Sequence, residues 1–179
     1  MTEIGNAYGL ALYELAAEEG VSEEILGQIE ALDDSFRQEP GFLRLLSSPT
    51  LSKEERCHIL DDSFRGSLNR YLLNFMKILT EKGYMGSFSD CRKAYLRQYN
   101  ADHNIVSVTA VTAVPLTREQ HSALTDKLSR TTGKTVLLQN RLDPQCLGGV
   151  RLDYDGQQMD DTVAHRLGAI RDLLKNTVL

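Results

Sequence analysis

The chain has 179 residues, 41% of them hydrophobic and 25% charged, enough for one ordinary domain or two small ones and outside the disordered range. Its net charge of −5 is unevenly placed: residues 1–104 carry 17 acids against 11 bases, and residues 105–179 carry 8 against 9. An acidic first half repels phosphate backbones and anionic lipid heads, so no nucleic-acid partner is expected, and a basic or amphipathic protein partner fits better.

The first hundred residues read as successive helices. Ile4, Ala7, Tyr8, Ala11, Leu12 and Leu15 recur at helical spacing, and Gly20 ends that segment. Ser22 opens a second helix with Ile25, Ile29, Leu32 and Phe36 on one stripe, broken by Pro40-Gly41. A short apolar turn, Phe42 to Leu46, follows, and Ser47-Ser48-Pro49 breaks the chain again. Ser52-Lys53-Glu54-Glu55 has the form of a capping box, in which the Ser hydroxyl accepts from an orphan backbone N–H and Glu55 reaches back. The strongest stripe is Leu68, Tyr71, Leu72, Phe75, Met76 and Leu79; Gly83 interrupts it, and a last helix runs from Gly86 to Asn100. Stripes of this kind assemble as a six-helix bundle.

Near residue 104 the period changes to two, and Val106, Val108, Ala110 and Thr112 mark a strand. Pro115 stops it, and Thr117 to Gln120 forms a second capping-box pattern that opens a helix. Thr135 to Leu142 and Gly149 to Tyr154 read as strands, with Asp155-Gly156 as a hairpin turn signal. Asp160-Asp161 caps a final helix with Val163, Leu167, Ile170 and Leu174 on its apolar face, expected to bury mainly within the module. The expected fold class is therefore α+β: residues 1–104 a six-helix bundle, residues 105–179 a small β-α-β-β-α domain.

No motif carries chemistry. Gly133-Lys134-Thr135 looks like the tail of a phosphate loop, but it follows a helix and precedes a strand, the reverse of what that loop needs. Gly133 reads instead as a helix C-cap. Asp153, Asp155, Asp160 and Asp161 miss the calcium-loop spacing and suit turns and caps. A hydrolase using these carboxylates is the enzyme alternative, and the sequence offers it no nucleophile. Cys57, Cys91 and Cys146 show no CxxC spacing, and the four histidines are scattered, so no disulfide framework, metal site or cofactor is expected. No stretch has the ~20 apolar residues of a membrane span, and the N-terminus resembles neither a signal nor a transit peptide. What remains is surface. Tyr8, Ala11 and Leu12 on the first helix, with Phe75, Ile78 and Leu79 on the fifth, make both helices broader in apolar girth than one core face requires. That width suits a groove for a partner's amphipathic helix, although periodicity alone leaves plain core equally open.

Several segments together resemble the delta subunit of the F-type ATP synthase, the OSCP family, in its bacterial form. They are Tyr8-x-x-Ala11-Leu12-x-x-Leu15-Ala16, Leu46-Ser47-Ser48-Pro49 with Ser52 to Arg56 and Ile59-Leu60, Asn74-Phe75-x-x-Ile78-Leu79, and Val108 to Ala113 with Pro115-Leu116-Thr117 and Glu119-Gln120. The most specific part begins Asp143-Pro144-x-x-Leu147-Gly148-Gly149-Val150 and closes Asp160-x-Thr162-Val163-x-x-Arg166-Leu167. The sequence departs from the family at Asp161-Thr162, where Gly-Ser is usual, at Cys146, and at Lys82-Gly83-Tyr84, where an Arg is usual. The resemblance implies a non-catalytic stator subunit. Its helical domain would bind the N-terminal helices of the alpha subunits, with Tyr8, Ala11, Leu12, Phe75 and Ile78 lining the groove. Its second domain would meet the C-terminal ends of the b subunits. The signature residues Asp143, Gly148, Gly149, Asp160, Thr162 and Arg166 would be structural. The expected location is the cytoplasmic face of the bacterial plasma membrane, held there through the complex.

Overall fold

The computed structural model describes residues 2–48, 50–154, 157–165 and 167. Compactness divides the chain into two units, Met1–Asn100 and Ala101–Leu179, a boundary four residues ahead of the change of period. The architecture is mixed, helices followed by a four-stranded sheet with a helix of its own.

In the first unit α1 (Glu3–Glu18), α2 (Ser22–Gln38), α3 (Pro40–Leu46), α4 (Lys53–Phe64), α5 (Arg70–Lys82) and α6 (Phe88–Asp102) follow one another. The starts and stops have local causes. Thr2 accepts from the Gly5 N–H at 3.1 Å and opens α1. Ser52 and Glu55 form the expected reciprocal box, with the Glu55 N–H at 3.2 Å from Ser52 Oγ and the Ser52 N–H at 2.8 Å from Glu55 Oε2. Gly83 takes the left-handed conformation, φ 74°, that stops α5. The segment expected as an apolar turn is a helix, because Pro40 stands at its first position, where the missing N–H costs nothing.

The core of this unit gathers Leu12, Ile25, Ile29, Leu32, Phe36, Leu72, Met76, Leu79 and Phe88. Phe36 and Phe88 meet edge to face at 5.1 Å between centroids, and Tyr13 meets Tyr95 likewise at 5.3 Å. The Tyr95 hydroxyl donates to the Ser22 carbonyl at 2.8 Å, so its burial leaves no orphan. One carboxylate is drawn inside. Asp33 on α2 is buried and neutralised by Arg92 Nε of α6 at 2.9 Å and by Arg37 at 2.6 Å.

In the second unit β1 (Ile105–Thr112), α7 (Arg118–Thr132), β2 (Thr135–Leu142), β3 (Val150–Tyr154) and β4 (Gln157–Asp160) make a sheet ordered β2-β1-β3-β4. β1 and β2 are parallel, joined through α7, and the other pairs are antiparallel. Val106, Val108, Ala110, Val136 and Leu152 point to one face, where Leu124 and Leu128 of α7 cover them. The β-α-β-β-α order is corrected by the fourth strand. Gln157–Asp160 has no β-branched or aromatic residue and pairs only because β3 offers its free edge, from Tyr154↔Gln157 to Arg151↔Asp160. The Asp155-Gly156 turn lies outside the described residues, as do Pro49, Arg166, Ile170 and Leu174.

Candidate functional site

The first candidate surface arises from how α1 packs. Its buried face is Gly5, Gly9, Leu12, Tyr13 and Ala16, rotated away from the Ile4–Tyr8–Leu15 line that hydrophobic spacing favours. The cause is α6. A Cβ added to Gly9 would run into the Cys91 carbonyl oxygen and come within 2.8 Å of Ala94 Cβ; one added to Gly5 would be 2.5 Å from Asp90 Cβ. Glycine lets the two helices meet backbone to backbone. Polar bonds fasten the same contact: the Thr2 N–H donates to Asp90 Oδ2 at 2.7 Å, and Arg97 donates to Asn6 Oδ1 at 2.6 Å. The Thr2 N–H in turn holds the Asp90 carboxyl below the usual carboxylate range.

With small residues turned inward, the large ones are left outside. Ile4, Tyr8, Ala11 and Leu15 follow one another at spacings of four, three and four on a single line of α1, about 17 Å long at 1.5 Å per residue. Ile4 and Leu15 are 37% and 38% exposed, and Ile78 on α5 is 45% exposed. Ala11 is exposed, and half-buried Tyr8 rests edge-on against Tyr84, 5.9 Å away. Of the residues expected to line a groove, Leu12 and Phe75 are 3% and 7% exposed and belong to the core beneath it. Ile4 and Leu15, which recur with Tyr8, Ala11 and Leu12 at helical spacing, belong to the surface. The signal that separates them is the Gly5-x-x-x-Gly9 spacing, which marks the face of closest approach.

The second candidate surface lies around the C-terminal signature. Asp143 Oδ1 accepts from the Gln145 N–H at 3.0 Å and starts a 3-10 turn, Pro144–Cys146. Leu147, at φ 61°, and Gly149, at φ 78°, then turn the chain into β3. The Gly148 carbonyl accepts from the Val163 N–H at 3.0 Å, and the Val150 carbonyl from the Asp161 N–H at 3.1 Å. A Cβ on Gly149 would be 2.5 Å from the Asp161 carbonyl oxygen, so two backbones again meet where only glycine fits. Asp160 Oδ1 accepts from the Thr162 N–H at 2.9 Å, and buried Thr162 accepts from the His165 N–H at 3.2 Å. The cap of the last helix is therefore Thr162, one position beyond the expected Asp160-Asp161 pair. Hydrogen bonds from Thr162 lower the Asp160 carboxyl, marking it as an ionised strut. Leu147, Val163 and Leu167 are exposed beside this knot, so Val163 and Leu167 do not bury in the module as expected.

Neither surface resembles a catalytic centre. Asp153 is taken up by Arg151 at 3.3 Å, Arg141 at 3.4 Å and Gln158 at 2.9 Å. Gly133 ends α7 in the left-handed conformation and donates to the Ser129 carbonyl, which leaves Lys134-Thr135 to enter β2. Among the described residues no group of three His, Cys, Asp or Glu could hold a metal ion, and no helix is long and apolar enough to cross a membrane.

Comparison with known proteins accounts for this pattern. The family model for the ATP synthase delta (OSCP) subunit matches residues 4–174, nearly the whole chain. The chain belongs to the ATP synthase delta (OSCP) subunit family. It is 31% identical to ATP synthase subunit delta of Clostridium kluyveri, over 93% of this chain and 92% of that one. It is 30% identical to the subunit delta of Alkaliphilus oremlandii, over 98% of both. In fold it matches a chain of the Toxoplasma gondii mitochondrial ATP synthase hexamer, with a TM-score of 0.75 at 16% identity over 97% of this chain and 98% of that one. As a delta/OSCP subunit the chain is a structural, non-catalytic component of the F-type ATP synthase, part of its stator.

Proposed function

We propose that the two exposed apolar surfaces are the two ends of the stator link. The strip of Ile4, Tyr8, Ala11, Leu15 and Ile78, over a floor of Leu12 and Phe75, takes the N-terminal helix of an ATP synthase alpha subunit. The surface at Leu147, Val163 and Leu167 meets the C-terminal ends of the b subunits. The chain thereby holds the catalytic head against the torque of the rotor, at the cytoplasmic face of the bacterial plasma membrane. The carrying observation is the uncovered line on α1. An amphipathic helix presents apolar side chains at i, i+4, i+7 and i+11, the spacing of that line, and excludes water from both.

The test is calorimetric titration of the full chain with an alpha-subunit N-terminal peptide. Leu15→Asp is expected to weaken binding at least about tenfold, the equivalent of ~1.4 kcal/mol, without unfolding the chain. Unchanged affinity in Leu15→Asp and Ile78→Asp would remove the strip from the binding face. In the second unit, Leu147→Asp is expected to reduce capture by the b subunits while leaving peptide binding intact.

A further inference from the structure

The sheet of the second unit has two edges, and they differ. β4 at one end has four residues. β2 at the other has eight, paired with β1 in continuous register from Ile105↔Thr135 to Thr112↔Leu142. The Thr135 N–H donates to the Asn104 carbonyl and the Asp143 N–H to the Thr112 carbonyl, both at 2.9 Å. Alternation along the strand therefore turns the main chain of the odd positions toward β1. The N–H and C=O groups of Val136, Leu138, Asn140 and Leu142 point outward. Of these, the Leu138 carbonyl accepts from His121 Nε2 of α7 at 3.1 Å. The rest of the row has no backbone partner among the described residues. A long straight edge is a template for another strand, and proteins ordinarily blunt it with proline, a bulge or short length. β2 carries none of these.

We propose that the outer edge of β2 takes an extended, acidic segment of a partner protein as a fifth strand. The flanks of the edge name its chemistry. Leu124 and Leu128 of α7 cover the face that holds Val136, so Leu137, Gln139 and Arg141 share the opposite face. Leu137 is 50% exposed, and Arg141 is exposed 3.4 Å from Asp153. From Arg118 to Leu142 the chain holds five bases, Arg118, Lys127, Arg130, Lys134 and Arg141, against two acids, although its net charge is −5. An added strand lays alternate residues over the same face. The matching segment therefore carries an acid opposite Arg141 and an apolar residue opposite Leu137, four positions apart. Antiparallel pairing, the more stable arrangement, puts the acid first. Main-chain bonds supply the affinity, and these two side chains supply the selection. A second copy of β2 fits less well, because two such basic segments repel. The edge shares no residue with either apolar surface described above, and its occupant is a strand.

Amide hydrogen exchange on the isotope-labelled full chain, read by nuclear magnetic resonance, tests the site with the end-blocked peptide Thr-Glu-Val-Thr-Val-Val-Thr. Antiparallel pairing sets its glutamate opposite Arg141 and its last valine opposite Leu137. At millimolar peptide the amides of Val136, Leu138, Asn140 and Leu142 are expected to exchange at least about tenfold more slowly, as newly paired ladder groups do. Methylating the backbone nitrogens of the third and fifth peptide residues, which face β2 in this register, should abolish the protection. Methylating the fourth and sixth, which face solvent, should preserve it. Arg141→Glu and Leu137→Asp, both at exposed positions, should each weaken peptide binding about tenfold with the circular dichroism spectrum unchanged. No protection of the four amides, or equal protection with the third and fifth nitrogens methylated, overturns the strand-addition site. Equally tight binding of a peptide with lysine in place of the glutamate overturns the acidic occupant. Protection that grows with the concentration of the chain alone assigns the edge to a second copy and overturns it too.

Discussion

Replacing Gly9 by alanine tests the helix contact from which the α1 surface follows. In a solvated helix that change is favourable by about 0.8–1 kcal/mol, because alanine loses less backbone entropy. At Gly9 the new methyl would run into the Cys91 carbonyl oxygen, with Ala94 Cβ 2.8 Å away. A backbone carbonyl inside α6 cannot swing aside as a side chain can, so α1 and α6 must separate. Overpacking of this kind costs about 1–3 kcal/mol, and against the propensity gain the expected net loss is about 1–2 kcal/mol. Gly27 in α2 is the control: a Cβ there meets nothing within 4 Å, so Gly27→Ala should gain up to ~1 kcal/mol. The assay is urea unfolding followed by far-ultraviolet circular dichroism, in which the helical first unit dominates the signal. The midpoint should fall for Gly9→Ala and rise for Gly27→Ala with unchanged slopes. Equal midpoints for the two variants would refute the backbone-to-backbone packing of α1 on α6.

Asp33→Ala leaves Arg92 on α6 without its buried partner. Losing one side of a buried pair costs about 3–5 kcal/mol, and because Arg92 keeps some solvent contact about 2–3 kcal/mol is expected in the same unfolding assay. Thiol labelling of the native chain should modify Cys57 first. Cys91, whose thiol burial pushes up to about 11, and buried Cys146 should react only on unfolding, and rapid labelling of more than one thiol would contradict the packing. Stability should fall in acid. Asp90 is held below its ordinary value by the Thr2 N–H, Asp61 by Lys77, Asp160 by Thr162 and Glu55 by the Ser52 N–H. Their contribution is complete above the unfolded carboxylate values of about 4 and is lost as pH drops through the lower folded values. A urea midpoint that stays level from about pH 6 to about pH 3 would show that these bonds do not stabilise the fold.

Much of the fold was legible because its punctuation is local. The Ser52 and Thr117 capping boxes, the glycine stops at Gly83 and Gly133 and the change of period near residue 104 each act within a few residues. Two features depended on distant partners and were not legible. β4 is polar, and only the free edge of β3 makes Gln157–Asp160 a strand. On α1, hydrophobic spacing selects the large side chains, whereas burial follows the glycines that α6 needs. The same limit explains the groove. Leu12 and Ala11, or Phe75 and Ile78, are neighbours on broad apolar faces, and only the positions of adjacent helices decide which one faces solvent.

The division between core and strip can be read out in two currencies at once, stability and binding. Ile4, Leu15 and Ile78 are each more than a third exposed, so exchanging them for Gln removes little buried area and should shift unfolding by only about 0.5 kcal/mol each. Leu12 and Phe75 lie beneath at 3% and 7% exposure, and truncating either to alanine should cost about 2–4 kcal/mol. If the strip is a docking face, the Gln variants lose the alpha-subunit peptide and keep the fold, whereas the alanine variants lose stability first. A strip that were merely loosely packed core would show both losses together in every variant. That outcome would assign Ile4 and Leu15 to the core. The opposite outcome would mean that the glycine face of α1 creates the surface, because drawing α1 onto α6 is what turns its large side chains outward.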